Sequence, residues 1–210
     1  MKKVAVLLLA AGKSSRMGFP KQLLAWGGKP LLQYQIDRIC RLSVHEVIVV
    51  LGHEAEIIQR KIMSDCSKVT FLVCESYREG LSESLKFGLS YIESKYDGVL
   101  IMLADLPLVR LQTMQAIVEM GTSLLLKGEK RPYSVQPIHN KEVGHPVYIG
   151  NVSCLEWDQL SGDIGAKPLL KQLKRKHLIE TDDSGILFDI DTPESYENAL
   201  ECNRKLFLKR

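Results

Sequence analysis

The sequence predicts an α/β fold in which helices cover both faces of a mainly parallel β-sheet. Short, continuous apolar runs recur in the first half of the chain, at residues 4–9, 47–51, 69–74 and 98–104, as expected of strands that are buried on both faces. Segments with apolar residues at helical spacing separate these runs. Strands that alternate with helices indicate a parallel sheet, because each helix carries the chain back to the start of the next strand.

Three helices are predicted between these strands. The first begins near Pro30, whose fixed φ suits a first helical position, and its apolar stripe comprises Leu32, Ile36, Ile39 and Cys40. The second occupies residues 54–62, and the third opens at 80–82 and continues to about residue 94. The first half therefore alternates strictly between strand and helix.

The second half changes character. Strands are predicted at 133–138 and 146–149 around a polar turn, followed by a helix over 165–173. Two late strands are predicted at 177–181 and 186–190. They precede a closing helix.

The closing helix has clear start signals. Thr192 can cap it, Pro193 fits its first position, and Glu194 favours its positive end. The chain has no internal repeat, low-complexity tract or linker. Its 210 residues, 45% of them hydrophobic, fit a single domain over 1–210 with a sizeable core.

Composition and charge exclude several classes of protein. The formal charge is +3, and the basic cluster at 171–177 fits a solvated helix end, so nucleic acid is not an expected partner. No apolar run approaches the roughly 20 residues of a membrane helix, and the run after Met1 is short for a signal peptide. Five dispersed cysteines indicate neither a disulfide framework nor a zinc site. We expect a soluble, cytoplasmic protein that does not bind membranes.

The segment 7–24 is the most informative, because an apolar run leads into a small, cationic loop. Ala10, Ala11 and Gly12 carry almost no side chain, so a ligand can lie against the backbone. Arg16 offers a planar fork for phosphate oxygens and Lys21 a mobile point charge. The loop therefore predicts a polyphosphate site, with an ordinary basic turn as the alternative.

Two better-known phosphate loops do not match this segment. A Walker A sequence needs a glycine five positions before Gly12, where Leu7 stands. The dinucleotide fingerprint needs glycines where Ser14 and Met17 stand. A kinase-like or NAD-binding interpretation therefore loses its main support.

Asp105 directly follows the apolar run at 98–104. It is expected at the carboxyl end of a strand, at the same sheet edge as the first loop. A lone carboxylate there would repel a nucleotide, whereas Mg²⁺ between carboxylate and phosphate reconciles the charges. The alternative is that Asp105 only shapes the turn before Pro107.

Asp189 and Asp191 flank Ile190. In an extended segment both carboxylates point to one face, opposite Ile190. They are candidates for a shared metal site. The alternative is that they only orient the start of the closing helix at Thr192 and Pro193.

A resemblance joins these features. The pattern Leu9-Ala10-Ala11-Gly12-x-Ser14-x-Arg16-Met17-Gly18-x-Pro20-Lys21-x-Leu23-Leu24 resembles the nucleotide-binding signature of the MobA-like nucleotidyltransferases. The similarity continues through Gly80-Leu81-Ser82-x-Ser84-Leu85, Ala104-Asp105-Leu106-Pro107, Gly144-His145-Pro146-Val147, Gly162-Asp163-x-Gly165-Ala166 and Asp189-Ile190-Asp191-Thr192-Pro193. Within the family the chain is most similar to molybdenum cofactor cytidylyltransferases.

The resemblance implies a doubly wound, Rossmann-like nucleotidyltransferase fold of the GT-A-like kind. It implies a nucleotide-binding half over about 1–110 and an acceptor-binding half over about 111–210. The implied reaction transfers a nucleoside monophosphate, with CMP from CTP favoured, to the phosphate of molybdopterin, and releases pyrophosphate. Mg²⁺ is the implied cofactor, and a molybdenum hydroxylase is a possible recipient of the product.

The resemblance also assigns roles to residues at matching positions. It implies that the catalytic residues are Arg16, Lys21 and Asp105. The implied metal ligands are Asp105 and Asp191, with Asp189 as the other candidate. The implied nucleotide contacts are Leu9, Ala10, Ala11, Gly12, Ser14, Arg16, Lys21, Gly80, Ser82 and Ser84, and the implied acceptor contacts are Gly144, His145 and Pro146.

Plainer interpretations stay open for some of these residues. Ser82 also fits an ordinary helix N-cap, and His145 also fits a structural histidine in a turn. The other histidines, among them His53, are expected to be surface or packing residues. The chain departs from the family at Lys167, where relatives usually have arginine, so a bidentate contact is lost there. It also departs at 75–79, which lacks an expected asparagine.

Two other functions remain open. The same chemistry can use GTP as donor or a sugar or alditol phosphate as acceptor. Alternatively, the protein delivers molybdenum cofactor to another enzyme without catalysis. The intact set of Arg16, Lys21 and Asp105 argues against a delivery protein.

Overall fold

The computed structural model describes residues 2–63, 66–157 and 159–207, and its central feature is a mixed sheet of eight strands. The strands of the first half are β1 (Val4–Leu9), β2 (Ala25–Trp26), β3 (Lys29–Pro30), β4 (Glu46–Leu51), β5 (Val69–Val73) and β6 (Gly98–Leu103). Those of the second half are β7 (Tyr133–His139), β8 (Glu142–Val143), β9 (Val147–Gly150) and β10 (Arg175–Glu180). β2 and β3 form a separate antiparallel ribbon, and β8 pairs with the end of β7.

The described residues form six α-helices. These are α1 (Leu31–Ile39), α2 (Ala55–Lys61), α3 (Leu81–Ile92), α4 (Leu111–Leu126), α5 (Lys167–Gln172) and α6 (Pro193–Phe207). As predicted, Thr192 caps α6, because its hydroxyl oxygen accepts a hydrogen bond from the Ser195 amide at 3.1 Å. Within these described ranges, no helix combines the length and apolar character that crossing a bilayer requires.

The strands lie in the order β10-β7-β9-β6-β1-β4-β5, with the first strand of the chain near the middle. β1 is parallel to both β4 and β6, and β5 is parallel to β4. β9 is antiparallel to β6 and to β7, whereas β10 is parallel to β7. β9 is thus the one reversed strand in this order, and the prediction of a mainly parallel sheet is confirmed.

Alternate side chains of β1 supply two apolar layers, one on each face of the sheet. Val6 and Leu8 pack in the layer that contains the buried faces of α1, α2 and α4. Leu7 and Leu9 pack in the layer that contains those of α3 and α5. All four side chains are almost completely buried. The sheet is therefore covered by helices on both faces, which confirms the doubly wound arrangement.

The predicted strand at 186–190 is wrong. The segment Ser184–Leu187 forms a 3₁₀ turn instead, and the Asp183 carboxylate accepts a hydrogen bond from the Gly185 amide at 3.1 Å. Gly185 lies so close to the backbone of Leu108 that an added Cβ would be 2.4 Å from the Leu108 carbonyl carbon. Ile186 is buried by this packing and not by strand pairing, which explains why its apolar pattern resembled a strand.

The helix α4 is a further difference, since no element was predicted between 104 and 133. It has 16 residues and packs on β7 and β9. Gly121, in its middle, lies against the ring of Tyr148 in β9, where an added Cβ would be 2.4 Å from a ring carbon. The glycine lets the helix approach the sheet closely, at the cost of a weaker helix signal in the sequence.

Candidate active site

The loops at the carboxyl ends of β1, β4, β5 and β6 line one cleft of about 880 Å³. Leu9, the last residue of β1, pairs with Val50 of β4 and with Leu103 of β6. The loops that follow these strands therefore leave the sheet at about the same level. A cleft at the carboxyl ends of the strands is the usual ligand site of open α/β sheets, and its volume suits a small molecule.

The loop after β1 is held by polar contacts from its own later residues. The buried side-chain amide of Gln22 donates to the carbonyl oxygen of Ala10 at 2.6 Å and to that of Gly12 at 3.2 Å. The hydroxyl oxygen of Ser14 accepts a hydrogen bond from the backbone amide of Lys21 at 3.1 Å. These bonds fix the small-residue stretch at the floor of the cleft. Sequence reasoning missed Gln22, because nothing in the local pattern shows where its amide points.

Lys21 connects two carboxylates that are distant in sequence. Its ammonium donates to Asp105 Oδ2 at 2.5 Å and to Asp191 Oδ1 at 2.9 Å, and the lysine side chain is 16% exposed. Burial by itself lowers the pKa of Lys21, but the charge and hydrogen bond of Asp105, and then those of Asp191, outweigh it and raise the pKa above its usual value. Lys21 is therefore charged at neutral pH.

Arg16 completes this network from the exposed side. Its guanidinium donates to Asp191 Oδ2 at 2.8 Å. Partial burial tends to raise the pKa of Asp191, but the hydrogen bonds and charges of Lys21 and Arg16 hold it below its usual value. The structure thus brings together both predicted phosphate-binding cations and two of the three predicted metal ligands.

Asp189 lies outside this network of ion pairs. Its side chain is exposed, and partial desolvation, followed by the charges of Asp191 and Asp105, raises the pKa of Asp189. The backbone amide of Ile190 donates to the Asp105 carbonyl oxygen at 2.9 Å, which fixes the 189–191 segment beside the end of β6. Of the two candidates for a second metal ligand, Asp191 is the one that lines the cleft beside Asp105.

The carboxylates fit a hard divalent cation. Asp105 Oδ1 is buried and has no hydrogen-bond partner among the described residues, so it has lone pairs to offer. Asp105 and Asp191 already converge on one positive charge. No group of three His, Cys, Asp or Glu side chains within the described ranges is arranged to hold a metal. Two carboxylates completed by phosphate and water oxygens are the usual way in which proteins hold Mg²⁺.

The opposite end of the cleft contains residues that the sequence analysis did not select. His53 follows β4, and Tyr77 and Arg78 follow β5. The Tyr77 hydroxyl accepts a hydrogen bond from Arg78 Nε at 3.2 Å and lies 3.3 Å from His53 Nδ1. We predicted His53 as a surface or packing residue, and that prediction did not include a position in the cleft. Because His53 directly follows a buried strand, its sequence position could have indicated that it lies at the cleft.

Nine of the ten candidate nucleotide contacts line the cleft. These are Leu9, Ala10, Ala11, Gly12, Ser14, Arg16, Lys21, Gly80 and Ser84. The exception is Ser82, whose side chain is fully buried and whose hydroxyl donates to the Ser161 carbonyl oxygen at 3.2 Å. This corrects the expectation for Ser82, because its hydroxyl neither faces the cleft nor caps α3.

The cap of α3 comes from a distant part of the chain. Asp163 Oδ1 accepts a hydrogen bond from the Leu81 amide at 2.9 Å. Gly80 has φ of +118°, and an added Cβ there would lie 2.5 Å from the carbonyl carbon of Gly162. Glycine is therefore required at position 80 both by its dihedral and by this close approach. The Gly162–Ile164 segment and the start of α3 form one unit at the edge of the cleft.

The candidate acceptor residues lie apart from the cleft lining. Gly144 packs against Ile186, and a Cβ added to Gly144 would be 2.4 Å from the Ile186 carbonyl oxygen. The His145 amide donates a hydrogen bond to the same oxygen at 3.0 Å. His145 Nδ1 is buried with no partner among the described residues. Burial lowers the pKa of His145, opposed by the charge of Asp105 and reinforced by that of Lys167. Gly144, His145 and Pro146 are therefore near the carboxylates but do not face the 880 Å³ cleft.

Three features define a nucleotidyltransferase of the Rossmann-like class. They are the sheet order, the small-residue loop after β1, and the paired cations and carboxylates at the edge of the sheet. The family model of the MobA-like NTP transferase domain matches residues 6–177. This chain belongs to that family. The match covers the cleft except for Asp191, which lies beyond its end.

Three similar proteins illustrate the range of relatives. The purine catabolism protein PucB of Bacillus subtilis (strain 168) is 29% identical over 199 residues, which cover 91% of this chain and 93% of that protein. The bifunctional protein GlmU of Baumannia cicadellinicola subsp. Homalodisca coagulata is 30% identical over 150 residues, which cover 67% of this chain and 32% of that protein. The chain spans about a quarter to a third of the length of the first GlmU proteins it matches.

The third is a solved structure, Rv0371C of Mycobacterium tuberculosis H37Rv in complex with manganese. It superposes with a TM-score of 0.72 at 23% identity, over 95% of this chain and 99% of that one. At this identity the likeness establishes the shared fold.

Proposed function

We propose that this protein transfers CMP from CTP to the terminal phosphate of molybdopterin and releases pyrophosphate. The observation that carries the proposal is the Lys21 ammonium, which contacts Asp105 and Asp191 beside the small-residue loop of β1. Two cations suited to phosphate and two carboxylates suited to a metal line the same cleft, and this arrangement supports the proposal. Membership of the MobA-like NTP transferase family supports the class of reaction.

In this proposal Arg16 and Lys21 bind the phosphates of the nucleotide. The acceptor phosphate attacks the α-phosphate in line, and pyrophosphate leaves. No covalent enzyme intermediate is needed, so the residues act by positioning the two substrates and by stabilising the charge that develops on the phosphate oxygens. Ser14 and Gln22 would contribute by holding the loop that carries these cations.

We propose Mg²⁺ as the cofactor, held by Asp105 and Asp191. When bound, it would neutralise phosphate charge and polarise the reacting phosphoryl group. The buried, unpartnered Asp105 Oδ1 supports a ligand role for that residue. The manganese complex of Rv0371C supports the use of a divalent cation in this fold.

The nucleoside would extend from the phosphates toward β4 and β5. Adjacent strands lie about 4.8 Å apart, so three spacings separate the end of β6, with Asp105, from the end of β5, with Tyr77 and Arg78. This distance suits a nucleoside joined to its phosphates. Gly80 and Ser84 would face the sugar and base, and the CTP preference rests on Ala11, where guanylyl-transferring relatives more often have glycine.

Molybdopterin would approach from the side of Gly144, His145 and Pro146. The exposed Lys167, whose positive charge acts on His145, supports an acceptor that carries a phosphate. The name of PucB, a purine catabolism protein, is consistent with a molybdenum hydroxylase as recipient of the product.

A substrate panel tests the proposal. The purified protein is incubated with each of the four nucleoside triphosphates, Mg²⁺, and either molybdopterin or sugar and alditol phosphates, and pyrophosphate release is measured. We expect release with CTP and molybdopterin. Release with GTP or with a sugar phosphate would replace the donor or acceptor in this proposal, and absence of release with every pair would favour a delivery protein.

Two variants complete the panel. Asp105→Asn is expected to lower the rate by about a hundredfold to a thousandfold, because it removes a charge at the site of phosphoryl transfer. Asp182→Asn is the matched control, since Asp182 is 88% exposed and pairs with Arg110 outside the cleft. Undiminished turnover in Asp105→Asn would contradict the assignment of Asp105.

A further inference from the structure

Lys21 contacts one oxygen of each of the two carboxylates that would hold a divalent cation. Its ammonium lies 2.5 Å from Asp105 Oδ2 and 2.9 Å from Asp191 Oδ1. A divalent ion bound to these two oxygens would lie about 2.1 Å from each, close to the ammonium nitrogen. An ion that used the unpartnered Asp105 Oδ1 instead would still share that carboxylate with the ammonium. Charge repulsion therefore opposes simultaneous binding of the two cations in either case.

We propose that Lys21 is an internal competitor for the metal site, which makes binding of the divalent cation depend on binding of the nucleotide. This inference rests on the proposed function and adds a role for Lys21 besides phosphate binding. The ammonium neutralises Asp105 and Asp191 in the nucleotide-free protein. A nucleotide supplies a second anion to which the ammonium can move, and the carboxylates are then available to the metal.

The surroundings of Lys21 favour such an exchange of partners. The lysine side chain is 16% exposed, and the Asp105 side chain is 17% exposed, so water screens their interaction weakly. The Arg16 side chain, by contrast, is 68% exposed, and of the two carboxylates it pairs with that of Asp191. Lys21 is therefore the cation that pairs with both proposed metal ligands, and its position has the larger effect on the charge that they present to a metal.

The proposal requires a reciprocal coupling between the two ligands. If nucleotide raises the affinity for metal by a given factor, metal raises the affinity for nucleotide by the same factor. Removing the ammonium then changes the two affinities in opposite directions. The metal alone binds more tightly, because two carboxylates lose their internal counterion, and the nucleotide binds more weakly, because it loses a phosphate contact.

The test measures Mn²⁺ binding in the absence of nucleotide, by the loss of the free Mn²⁺ electron paramagnetic resonance signal. Lys21→Met, which keeps the length of the side chain and removes its charge, is expected to raise Mn²⁺ affinity by about tenfold or more, within the usual range of coupling factors. Lys13→Met is the matched control. It removes one charge from an exposed, cleft-lining residue of the same loop, and its expected change is less than about twofold.

A second readout separates this role from others. Mn²⁺ without nucleotide is expected to raise the unfolding midpoint of Lys21→Met more than that of the wild type, because ligand binding stabilises the folded state. Lys21→Gln provides the same comparison if the methionine variant does not fold. A structural role alone would weaken both ligands, and a role in phosphate binding alone would leave the affinity for Mn²⁺ unchanged.

Unchanged or weaker nucleotide-free Mn²⁺ binding in both Lys21 variants would overturn the inference. Failure of the proposed function has a different signature, which is absence of pyrophosphate release from CTP and molybdopterin by the wild-type protein. The Mn²⁺ titration requires neither nucleotide nor turnover, so the two failures are distinguishable.

Discussion

The proposed nucleotide side of the site, at the loop after β1 with Asp105 and Asp191, and the proposed acceptor side, at Gly144 to Pro146, are held in different ways. On the nucleotide side, short polar contacts fix the functional groups, as when Gln22 holds the carbonyls of Ala10 and Gly12 and Lys21 holds Asp105. On the acceptor side, close backbone packing fixes the chain, and His145 Nδ1 is buried without a partner in the described part of the chain. One side is organised by charge and hydrogen bonding, and the other by steric fit.

The difference suggests what each side contributes to the reaction. Dipoles and charges that are already in place stabilise a developing charge without reorganisation, which is the main source of catalysis in phosphoryl chemistry. Steric fit, by contrast, selects the shape of a partner. We therefore expect substitutions on the nucleotide side to reduce the rate, and substitutions on the acceptor side to alter stability and acceptor preference more than rate.

Gln22→Leu is the substitution with the largest expected effect in this comparison. It removes two hydrogen bonds and leaves the Ala10 and Gly12 carbonyls without their partner, at a cost of about 1–3 kcal/mol in unfolding free energy. The loop that carries Arg16 would also shift, and we expect kcat/KM for the nucleotide to fall by about tenfold to a hundredfold. Denaturant unfolding and steady-state kinetics measure the two effects.

Gln33→Leu is the matched control for Gln22. Gln33 is also a mostly buried amide, and it donates to Asp37 in α1, away from the cleft. This variant is expected to lose stability while its kcat/KM stays near that of the wild type. If both variants lowered kcat/KM to the same extent, general destabilisation and not the position of the loop would be the cause.

The nucleotide side was largely predictable from sequence. The buried strand at 4–9, the small-residue loop and the carboxylate after the run at 98–104 are local patterns, and parallel strands place their carboxyl ends at one edge. The nearness of Lys21 to Asp105 follows from that shared edge. The contact of Lys21 with Asp191 does not, because the 189–191 segment is not a strand and is held there by the bond from the Ile190 amide to the Asp105 carbonyl oxygen.

The remaining features depend on contacts between distant parts of the chain. Asp163 caps a helix that begins 82 residues earlier, and no local pattern indicates that partner. Ser82 has the sequence position of a nucleotide contact or a cap, yet packing turns its hydroxyl toward Ser161. Ile186 belongs to a turn that is fixed by Asp183 and by the approach of Gly185 to Leu108. Tertiary packing overrode local propensity at each of these positions.

Asp163→Ala tests the long-range cap, and its expected effect is intermediate. Loss of the bond to the Leu81 amide is expected to cost about 1 kcal/mol of unfolding free energy, as for other helix caps. Asp163→Asn retains an oxygen acceptor and is expected to lose less. Equal losses in the two variants, measured by denaturant unfolding, would show that the charge of Asp163, rather than its hydrogen bond, stabilises α3.

His145→Gln has the smallest expected effect and tests the steric character of the acceptor side. Burial lowers the pKa of His145 below the ordinary value of 6.5, so the unfolded chain takes up a proton at a higher pH than the folded protein does. The contribution of His145 to stability is therefore fully present above pH 6.5 and is lost as the pH falls below it.

The wild type is expected to lose more unfolding free energy between about pH 7 and pH 5 than His145→Gln, which has no imidazole to protonate. Above pH 8 the two stability curves should run parallel. Parallel curves across the whole range would mean that the buried imidazole does not resist protonation, and that the acceptor side contains a polar partner for Nδ1.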